Sequence, residues 1–512
     1  MKWKLIMKWS KISRFVKKEK YLLFVLIIAL ILRLYYLTLN NAFWWDSYIY
    51  IGMGKAIYSF GDIGIWESFR PLVWPTIIGF FWKLGIPIVA VVKTLDLIFS
   101  LTAICLTYYF TKKLYNRTTA YFASLAFATM PLFVMYTGLA LTEPLAISLG
   151  LIGLLFFIYS KEKFGKKKLS WLVSTGFFIA LSFLTKFPLG ILLPSILITI
   201  FLRKRIKINY FSKEEWKSKI KETFLICLGF FVTILPYLVL NYILYQNPLE
   251  PFQTGSWIVG TDTWLYNSGK AFYIKEFFVL NKIFLLSYLS IIIYIIKRKW
   301  RFEKYSIYIF PVILAIIYFS FYVPRKEFRY LTIILPFLSI MVANIIFQFY
   351  NLATKKSKQI LRSKGFMIIT TIVIILSQVA SFNASMQEPA APEIADSVNF
   401  IISNNLNGTF LSSNPDISIR LNTWIIPGNS VSYAKQIYLW QEENFDYIYL
   451  NSCDFRCPDD EENGPVCEND KEDFFDLIST NKLIYHKEYQ EKRKVASENV
   501  LYHCSISIYE KI

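Results

Sequence analysis

Eleven long apolar segments constrain the fold of this chain more than any other feature of its sequence. A helix needs about 20 mostly apolar residues to cross the hydrocarbon core of a bilayer. Segments of this kind recur at about 21–39, 86–111, 118–138, 143–160, 169–186, 188–202, 223–245, 277–296, 305–323, 329–350 and 365–382. The sequence therefore predicts an α-helical polytopic membrane protein with about eleven transmembrane helices.

The net charge of +20 divides unevenly along the chain. Residues 1–382 hold 46 Lys and Arg against 15 Asp and Glu, whereas residues 383–512 hold 10 against 21. We interpret residues 1–382 as a transmembrane domain and residues 383–512 as a small soluble α/β domain. The mean hydropathy of +0.41 excludes an ordinary soluble enzyme, and the cations are placed as topology signals rather than as a surface for nucleic acid.

Basic residues cluster in alternate loops between the apolar segments. The loops on one side hold 26 Lys and Arg, and those on the other side after residue 86 hold about six. Because cytoplasmic loops are enriched in Lys and Arg, this bias predicts a cytoplasmic N-terminus and an extracytoplasmic tail. Segment 53–85 contains Arg and several Pro and Trp residues, and is predicted to form interfacial helices on the outer face.

Four of the six cysteines lie in the tail, at Cys453, Cys457, Cys467 and Cys504. An extracytoplasmic domain is exposed to an oxidising environment, so we expect disulfide bonds. Two bridges among these four cysteines would allow three pairings. Free thiols or a zinc site are the alternatives, although the cysteine spacing matches no common zinc pattern. The sequence indicates no metal site in the membrane part.

Two acidic residues in the predicted outer regions are candidates for catalysis. Asp46 follows the first apolar segment among aromatic residues, where a loss of water is expected to raise its pKa, as suits a general base. The alternative is an aromatic belt with an incidental Asp. Glu143 begins the fourth segment, where a Thr-Glu-Pro sequence is also a good helix start.

Several cations lie on the predicted outer side, where membrane topology keeps cations rare. An anionic ligand at the outer leaflet explains them most simply, since Arg binds phosphate through two contacts and Lys through one. The alternatives are snorkelling at the interface and pairing with Glu327. The cations are Arg70, Lys186, Arg325, Lys326 and Arg329.

Taken together, these motifs resemble the GT-C glycosyltransferases, in the branch of protein O-mannosyltransferases and bacterial lipid A aminoarabinose transferases. The resemblance covers residues 21–382 and predicts a GT-C-like fold. This chain differs from many relatives in having Asp46-Ser47 where they have Asp-Glu. The matching motifs, in chain order, are Trp45-Asp46, Arg70-Pro71, Glu143, Thr185-Lys186, Asn247-Pro248-Leu249 and Arg329-Tyr330.

The resemblance implies inverting transfer of a sugar, most simply a mannose-like hexose, from a polyprenyl-phosphate donor of the dolichyl-phosphate type. The acceptor would be a hydroxyl of a protein, glycan or lipid at the outer face. Asp46 matches the catalytic base, Glu143 the second acidic position, and Lys186 and Arg329 the positions that hold the lipid phosphate. No cofactor is required, and a divalent cation is possible but not indicated. Further candidates for the lipid phosphate are Arg70, Arg325 and Tyr330.

Two other classes of protein share the predicted topology. A transporter or lipid flippase would be expected to show internal repeats and charges near the middle of the membrane. A sensor would use its helices only as an anchor for the tail. The chain shows no repeat, its unusual charges lie at the outer ends of the segments, and eleven segments exceed what anchoring needs. The enzyme is therefore the favoured interpretation.

Overall fold

The helices of the first part of the chain form the bulk of the protein. A computed structural model describes residues 17–39, 43–202, 213–261, 269–275, 282–296, 303–355, 360–382, 392–427, 444–452, 464–495 and 498–512. The first eight helices are α1 (Lys20–Leu39), α2 (Trp45–Ser59), α3 (Val73–Lys83), α4 (Ile88–Leu114), α5 (Arg117–Ala128), α6 (Pro131–Met135), α7 (Glu143–Ser160) and α8 (Gly165–Thr185).

The later helices continue the bundle, and short 3₁₀ or π segments precede or follow several of them. They are α9 (Leu192–Leu202), α10 (Lys213–Tyr245), α11 (Glu250–Thr261), α12 (Phe272–Lys275), α13 (Leu285–Ile296), α14 (Glu303–Ile317), α15 (Leu335–Lys355) and α16 (Ile360–Phe382). A 3₁₀ helix, Phe328–Ile334, leads directly into α15.

Seven helices in the described residues are long and apolar enough to cross a membrane. Three shorter apolar helices accompany them, at Phe187–Leu202, Lys282–Ile296 and Gly365–Gln378. The predicted segment 118–138 is broken into α5 and α6 before Pro131, which lacks the N–H group that a continuous helix needs. The helical membrane fold is thus confirmed, while the count of eleven spans stays a prediction.

Helices α8 and α10 cross in direct backbone contact. A Cβ atom at Gly176 would lie 2.0 Å from the carbonyl oxygen of Ile226, and one at Gly229 would lie 2.2 Å from that of Val173. Small residues at such a crossing let two apolar helices approach closely and gain dispersion contacts, which drive helix association in lipid. The contact therefore depends on both positions remaining glycine.

Replacing Gly176 with Leu is expected to prevent α8 and α10 from packing. The atoms of α10 nearest to this position are backbone atoms, which cannot move aside as a flexible side chain could. The measurement is the yield of monodisperse protein in detergent. Gly365→Ala is the matched control, since a Cβ atom there meets nothing within 4 Å. A Gly176→Leu protein with the yield and Tm of the wild type would rule out this crossing.

In its described residues, the tail folds into a five-stranded mixed sheet with two α-helices. Its strands are ordered β2-β1-β3-β5-β4, with β1 parallel to both β2 and β3, and β5 antiparallel to both β3 and β4. The small C-terminal α/β region is confirmed. Its elements are α17 (Pro392–Ser403), β1 (Phe410–Ser412), β2 (Ile425–Pro427), β3 (Tyr447–Asn451), α18 (Gly464–Ser479), β4 (Lys482–Val495) and β5 (Glu498–Glu510).

The tail packs on α2 through a shared hydrophobic core and through polar contacts. Ile49 and Met53 of α2 belong to the same buried cluster as Phe410 and Ile508 of the sheet. The buried Lys55 amine donates hydrogen bonds to the carbonyl oxygens of two tail residues and to a side-chain amide oxygen. These acceptors are Ile419 at 3.1 Å, Leu421 at 2.8 Å and Asn422 at 3.3 Å.

Candidate active site

Asp46 lies in the first turn of α2, next to the end of the bundle that carries the sheet. Trp44 is the N-cap in an extended conformation, and the Ser47 hydroxyl accepts its backbone N–H at 3.2 Å. The positive end of a helix dipole stabilises a carboxylate in this turn. The sequence Trp44-Trp45-Asp46-Ser47 thus starts a helix and at the same time presents an anion at its end.

Each oxygen of the Asp46 carboxylate contacts a different arginine. Arg70 Nη1 lies 2.8 Å from Oδ1, and Arg329 Nη1 pairs with Oδ2. These three side chains are about 14–17% exposed, so solvent reaches them but does not surround them. Arg70 comes from the loop before α3 and Arg329 from the 3₁₀ helix before α15, so three separate parts of the chain meet at Asp46.

Two further glutamates occupy the remaining faces of these arginines. Glu67 accepts from Arg70 Nε at 2.7 Å. Glu327 accepts hydrogen bonds from Arg325 Nε at 2.6 Å, from Arg329 Nη2 at 3.2 Å and from the Tyr330 hydroxyl at 3.2 Å. Arg329 Nε also lies 2.5 Å from this carboxylate as an ion pair. We call the group formed by Glu67, Arg70, Asp46, Arg329, Glu327 and Arg325 the charge chain.

A second ion pair joins α7 to the end of α8. Glu143, at the N-terminus of α7, accepts a hydrogen bond from Lys186 Nζ at 2.7 Å, and its own side chain is only 2% exposed. Lys186 is the C-cap of α8 and has an extended backbone. Glu143 therefore both begins α7 and pairs with Lys186, so its role at the start of a helix is compatible with a role in the site.

The pKa of Asp46 lies below its ordinary value, so the prediction of a raised pKa was wrong. Burial alone raises it, but the positive charges of Arg329, Arg70 and Lys186 together outweigh that effect. Burial likewise raises the pKa of Glu327, and Arg329 and Arg325 bring it below the ordinary value. Both carboxylates are ionised in the unliganded site at neutral pH.

The structure brings Asp46, Arg70, Arg325, Arg329 and Tyr330 into direct contact with one another or with Glu327. The pairing with Glu327 that the sequence left as an alternative is present. Lys326 lies elsewhere, because its buried amine donates to the carbonyl oxygens of Phe319 at 2.6 Å and Ser320 at 3.0 Å. It is a structural cation and does not face the site residues.

The sequence did not assign a role to Glu67. Its spacing of three residues from Arg70 was the available signal, because residues three apart in a turn can pair. Of the predicted disulfide cysteines, Cys504 is disulfide-bonded. Cys453 and Cys457 lie outside the described residues, as does the side chain of Cys467.

Within the described ranges, no group of three or more His, Cys, Asp or Glu side chains is close enough to hold a metal ion. The carboxylates of the charge chain are instead held by guanidinium groups and a phenol, and Glu143 is held by Lys186. In the described residues, these carboxylates and cations are paired with one another.

Comparison with known proteins identifies the architecture. Residues 70–239 match the sequence profile of a family described as dolichyl-phosphate-mannose-protein mannosyltransferase. The ArnT structure from Cupriavidus metallidurans bound to undecaprenyl phosphate superposes with a TM-score of 0.59 at 11% identity, over 95% of this chain and 98% of that one. The chain has the fold of the solved GT-C glycosyltransferases.

A second GT-C structure has the same fold over most of the chain. The archaeal oligosaccharyltransferase AglB from Archaeoglobus fulgidus, in complex with an inhibitory peptide and a dolichol-phosphate, superposes with a TM-score of 0.56 at 13% identity. The match covers 85% of this chain and 69% of that one. No curated protein sequence matches.

The predicted resemblance to GT-C enzymes is thus confirmed, together with the helical membrane fold. The matched family segment contains Arg70, Glu143 and Lys186, whereas Asp46 and Arg329 lie outside it. At 11–13% identity, the property shared with the solved structures is the fold. The roles of the individual site residues must therefore be argued from the geometry of this chain.

Proposed function

We propose that this GT-C enzyme transfers a sugar from a polyprenyl-phosphate donor to a hydroxyl of a protein, glycan or lipid acceptor. The proposal rests on one observation: the Asp46 carboxylate lies between the guanidinium groups of Arg70 and Arg329 at one end of a membrane bundle. Such an arrangement offers a base and a set of phosphate ligands within one site. The family profile favours a mannose-like hexose, and the polyprenyl phosphates in the two solved relatives support the donor class.

The chemistry requires one base and no acid. The acceptor oxygen bonds to the anomeric carbon while the bond from that carbon to the phosphate oxygen breaks, so its electron pair leaves with the lipid phosphate. The acceptor proton passes to Asp46. Attack from the face opposite the phosphate inverts the anomeric centre, and cations stabilise the charge that develops on the leaving oxygen.

The charges of the site are suited to this exchange. Arg70, Arg325, Arg329 and Lys186 supply four positive charges, and the four carboxylates described above neutralise them. Transfer adds one negative charge to the phosphate as it becomes a monoester and removes one from Asp46 as it is protonated. The net charge of the partly buried site therefore stays constant through the reaction, which avoids a large electrostatic penalty.

Donor binding also makes Asp46 a better base. In the unliganded site the fields of Arg329 and Arg70 keep the pKa of Asp46 low. A phosphate bound to the same guanidinium groups brings a negative charge close to the carboxylate and raises its affinity for a proton. Base strength is thus linked to the presence of the donor.

The loop charges support an assignment of the site to one side of the membrane. The cation-rich loops mark the cytoplasm, so we place the site and the tail, residues 383–512, on the extracytoplasmic side. In this assignment, residues 1–382 form the catalytic membrane domain and the tail covers α2 beside the site. The contacts between the tail and Lys55 support a tail on the same side as Asp46.

Undecaprenyl phosphate is expected to raise the Tm of the purified protein by several degrees, because a ligand that binds only the folded state stabilises it. Undecaprenol, which has the same tail and no phosphate, is the control and should shift Tm little. Equal shifts from both lipids would show that only the prenyl chain is recognised and would contradict the proposed binding of the lipid phosphate.

The reaction itself is tested in proteoliposomes with labelled mannose on a polyprenyl-phosphate carrier. Label is expected in the acceptor fraction, together with free polyprenyl phosphate. The same label presented on a sugar nucleotide is the control. Incorporation from the nucleotide and none from the lipid would overturn the proposed donor class.

A further inference from the structure

The turn that connects α6 to α7 has an unusual backbone. Gly138 has a φ of 87° and Ala140 a φ of 55°. The second value is a left-handed conformation that residues with a Cβ atom adopt rarely, at a cost of roughly 1–2 kcal/mol. This segment, residues 137–142, directly precedes Glu143. Interactions elsewhere in the structure must therefore hold it in place.

A buried carboxylate from α4 holds this turn. Asp96 is 1% exposed, and its Oδ2 accepts the backbone N–H of Ala140 at 2.7 Å. The N–H groups of Gly138 and Leu141 face the same carboxylate. Neighbouring N–H groups in a turn with left-handed residues form a cradle for an anion, and Asp96 fills that cradle.

Two more side chains tie the same turn to the helices of the site. The Ser47 hydroxyl, next to Asp46, donates to the carbonyl oxygen of Leu139. The indole N–H of Trp74, in α3, donates to the carbonyl oxygen of Ala140 at 2.8 Å. Helices α2, α3 and α4 therefore meet at this one turn, and its outgoing end begins α7 with Glu143.

We infer that Asp96 is a positioning residue for the glycosyltransferase reaction. Its carboxylate keeps the 137–142 turn in its left-handed conformation, which sets α7 so that Glu143 meets Lys186 and sets α2 so that Asp46 meets Arg70 and Arg329. The assignment rests on the proposed function. Asp96 does not touch the reacting groups in this arrangement, and it acts through the turn.

Replacing Asp96 with Asn keeps the volume of the side chain and exchanges one of its two acceptor oxygens for an NH2 donor, beside three backbone N–H groups that need acceptors. The expected result is a 10- to 100-fold fall in kcat, because displacement of catalytic groups by about 1 Å has effects of that size. Hydrogen exchange of the amides of residues 137–142 should accelerate in the same variant.

Glu19→Gln is the matched control. Glu19 is another buried carboxylate, 3% exposed, and it pairs with Lys112 at 2.5 Å near the beginning of α1, at the opposite end of that helix from α2. It exchanges a carboxyl oxygen for an NH2 group in the same way, so a fall in kcat caused by general destabilisation would appear in both variants. The proposal expects kcat and exchange in residues 137–142 to change only in Asp96→Asn.

A second substitution tests whether Asp96 acts through the backbone of the turn. Glycine adopts a φ of 55° without steric cost, so Ala140→Gly should recover part of the kcat of Asp96→Asn. Loss of kcat with unchanged exchange, or faster exchange with unchanged kcat, would overturn the assignment. If the wild type transfers no sugar, the proposed function has failed, and the exchange result alone decides whether Asp96 holds the turn.

Discussion

Replacing Asp46 with Asn is expected to lower kcat for sugar transfer by roughly 10²- to 10⁴-fold, the usual contribution of a general base. The affinity for the donor should not fall. Removal of the carboxylate leaves Arg70 and Arg329 with fewer anionic partners, so both can turn fully to the lipid phosphate. A low kcat with an equal or tighter donor Kd separates a catalytic role of Asp46 from a structural one.

Asp62→Asn is the control for this experiment, because Asp62 is an exposed carboxylate in the loop that follows α2. It should leave both kcat and donor binding unchanged. A folded Asp46→Asn protein with the turnover of the wild type would exclude Asp46 as the base. Its Tm must be measured in parallel, since two partly buried guanidinium groups lose a partner.

The pH profile provides an independent check on Asp46. Its pKa is held below the ordinary value, so the carboxylate of the free enzyme remains ionised down to about pH 4. The kcat/KM of the wild type is therefore expected to remain level between about pH 8 and 5, as far as this group is concerned. The same depressed pKa means that Asp46 stabilises the fold above about pH 4 and that this stabilisation is lost as the pH falls further.

Replacing Arg329 with Gln is expected to lower kcat/KM by roughly 10²- to 10⁴-fold. Arg329 contacts Asp46 through one nitrogen and Glu327 through another, so it stands between the base and the rest of the charge chain. Two charge-assisted contacts to a phosphate, at about 1.5–3 kcal/mol each, account for a loss of this size. Arg329→Lys keeps the charge but loses the forked geometry, and should recover only part of the activity.

The loss in Arg329→Gln should appear as weaker donor binding together with slower transfer, because the phosphate is bound in the ground state and gains charge in the transition state. Arg420→Gln is the control, since Arg420 is an exposed arginine of the tail. If Arg329→Gln binds undecaprenyl phosphate as tightly as the wild type, the phosphate does not lie at this guanidinium.

The membrane architecture was predictable because hydropathy depends on local sequence. Runs of about 20 apolar residues indicated the helices, and the acidic composition after residue 382 indicated a different kind of domain. The sequence also predicts strands at Tyr447–Leu450 and near Lys482–His486, and both are present, as β3 and the start of β4. The short strand β2 was not predicted, since three residues carry too little periodic signal.

The electrostatics of the site were not predictable in the same way. The sequence named Asp46, Arg70 and Arg329 as candidates, but Asp46 and Arg329 are 283 positions apart, and only the fold shows that they touch. Without that contact, aromatic neighbours suggested a raised pKa, and the sign was wrong. Lys326 illustrates the same limit, because a count of outward cations cannot distinguish a ligand-binding amine from one that satisfies backbone carbonyls.

The docking of the tail has a consequence for the biosynthesis of the enzyme. The Lys55 amine at the far end of the helix that starts with Asp46 binds a carbonyl 366 positions later in the chain. During translation, α2 is made early, yet its apolar side chains Ile49 and Met53 have no tail to pack against until most of the protein has been synthesised. The helix that carries the proposed base, Asp46, therefore reaches its final environment late, and a nascent chain lacks a finished candidate site until nearly all of it has emerged.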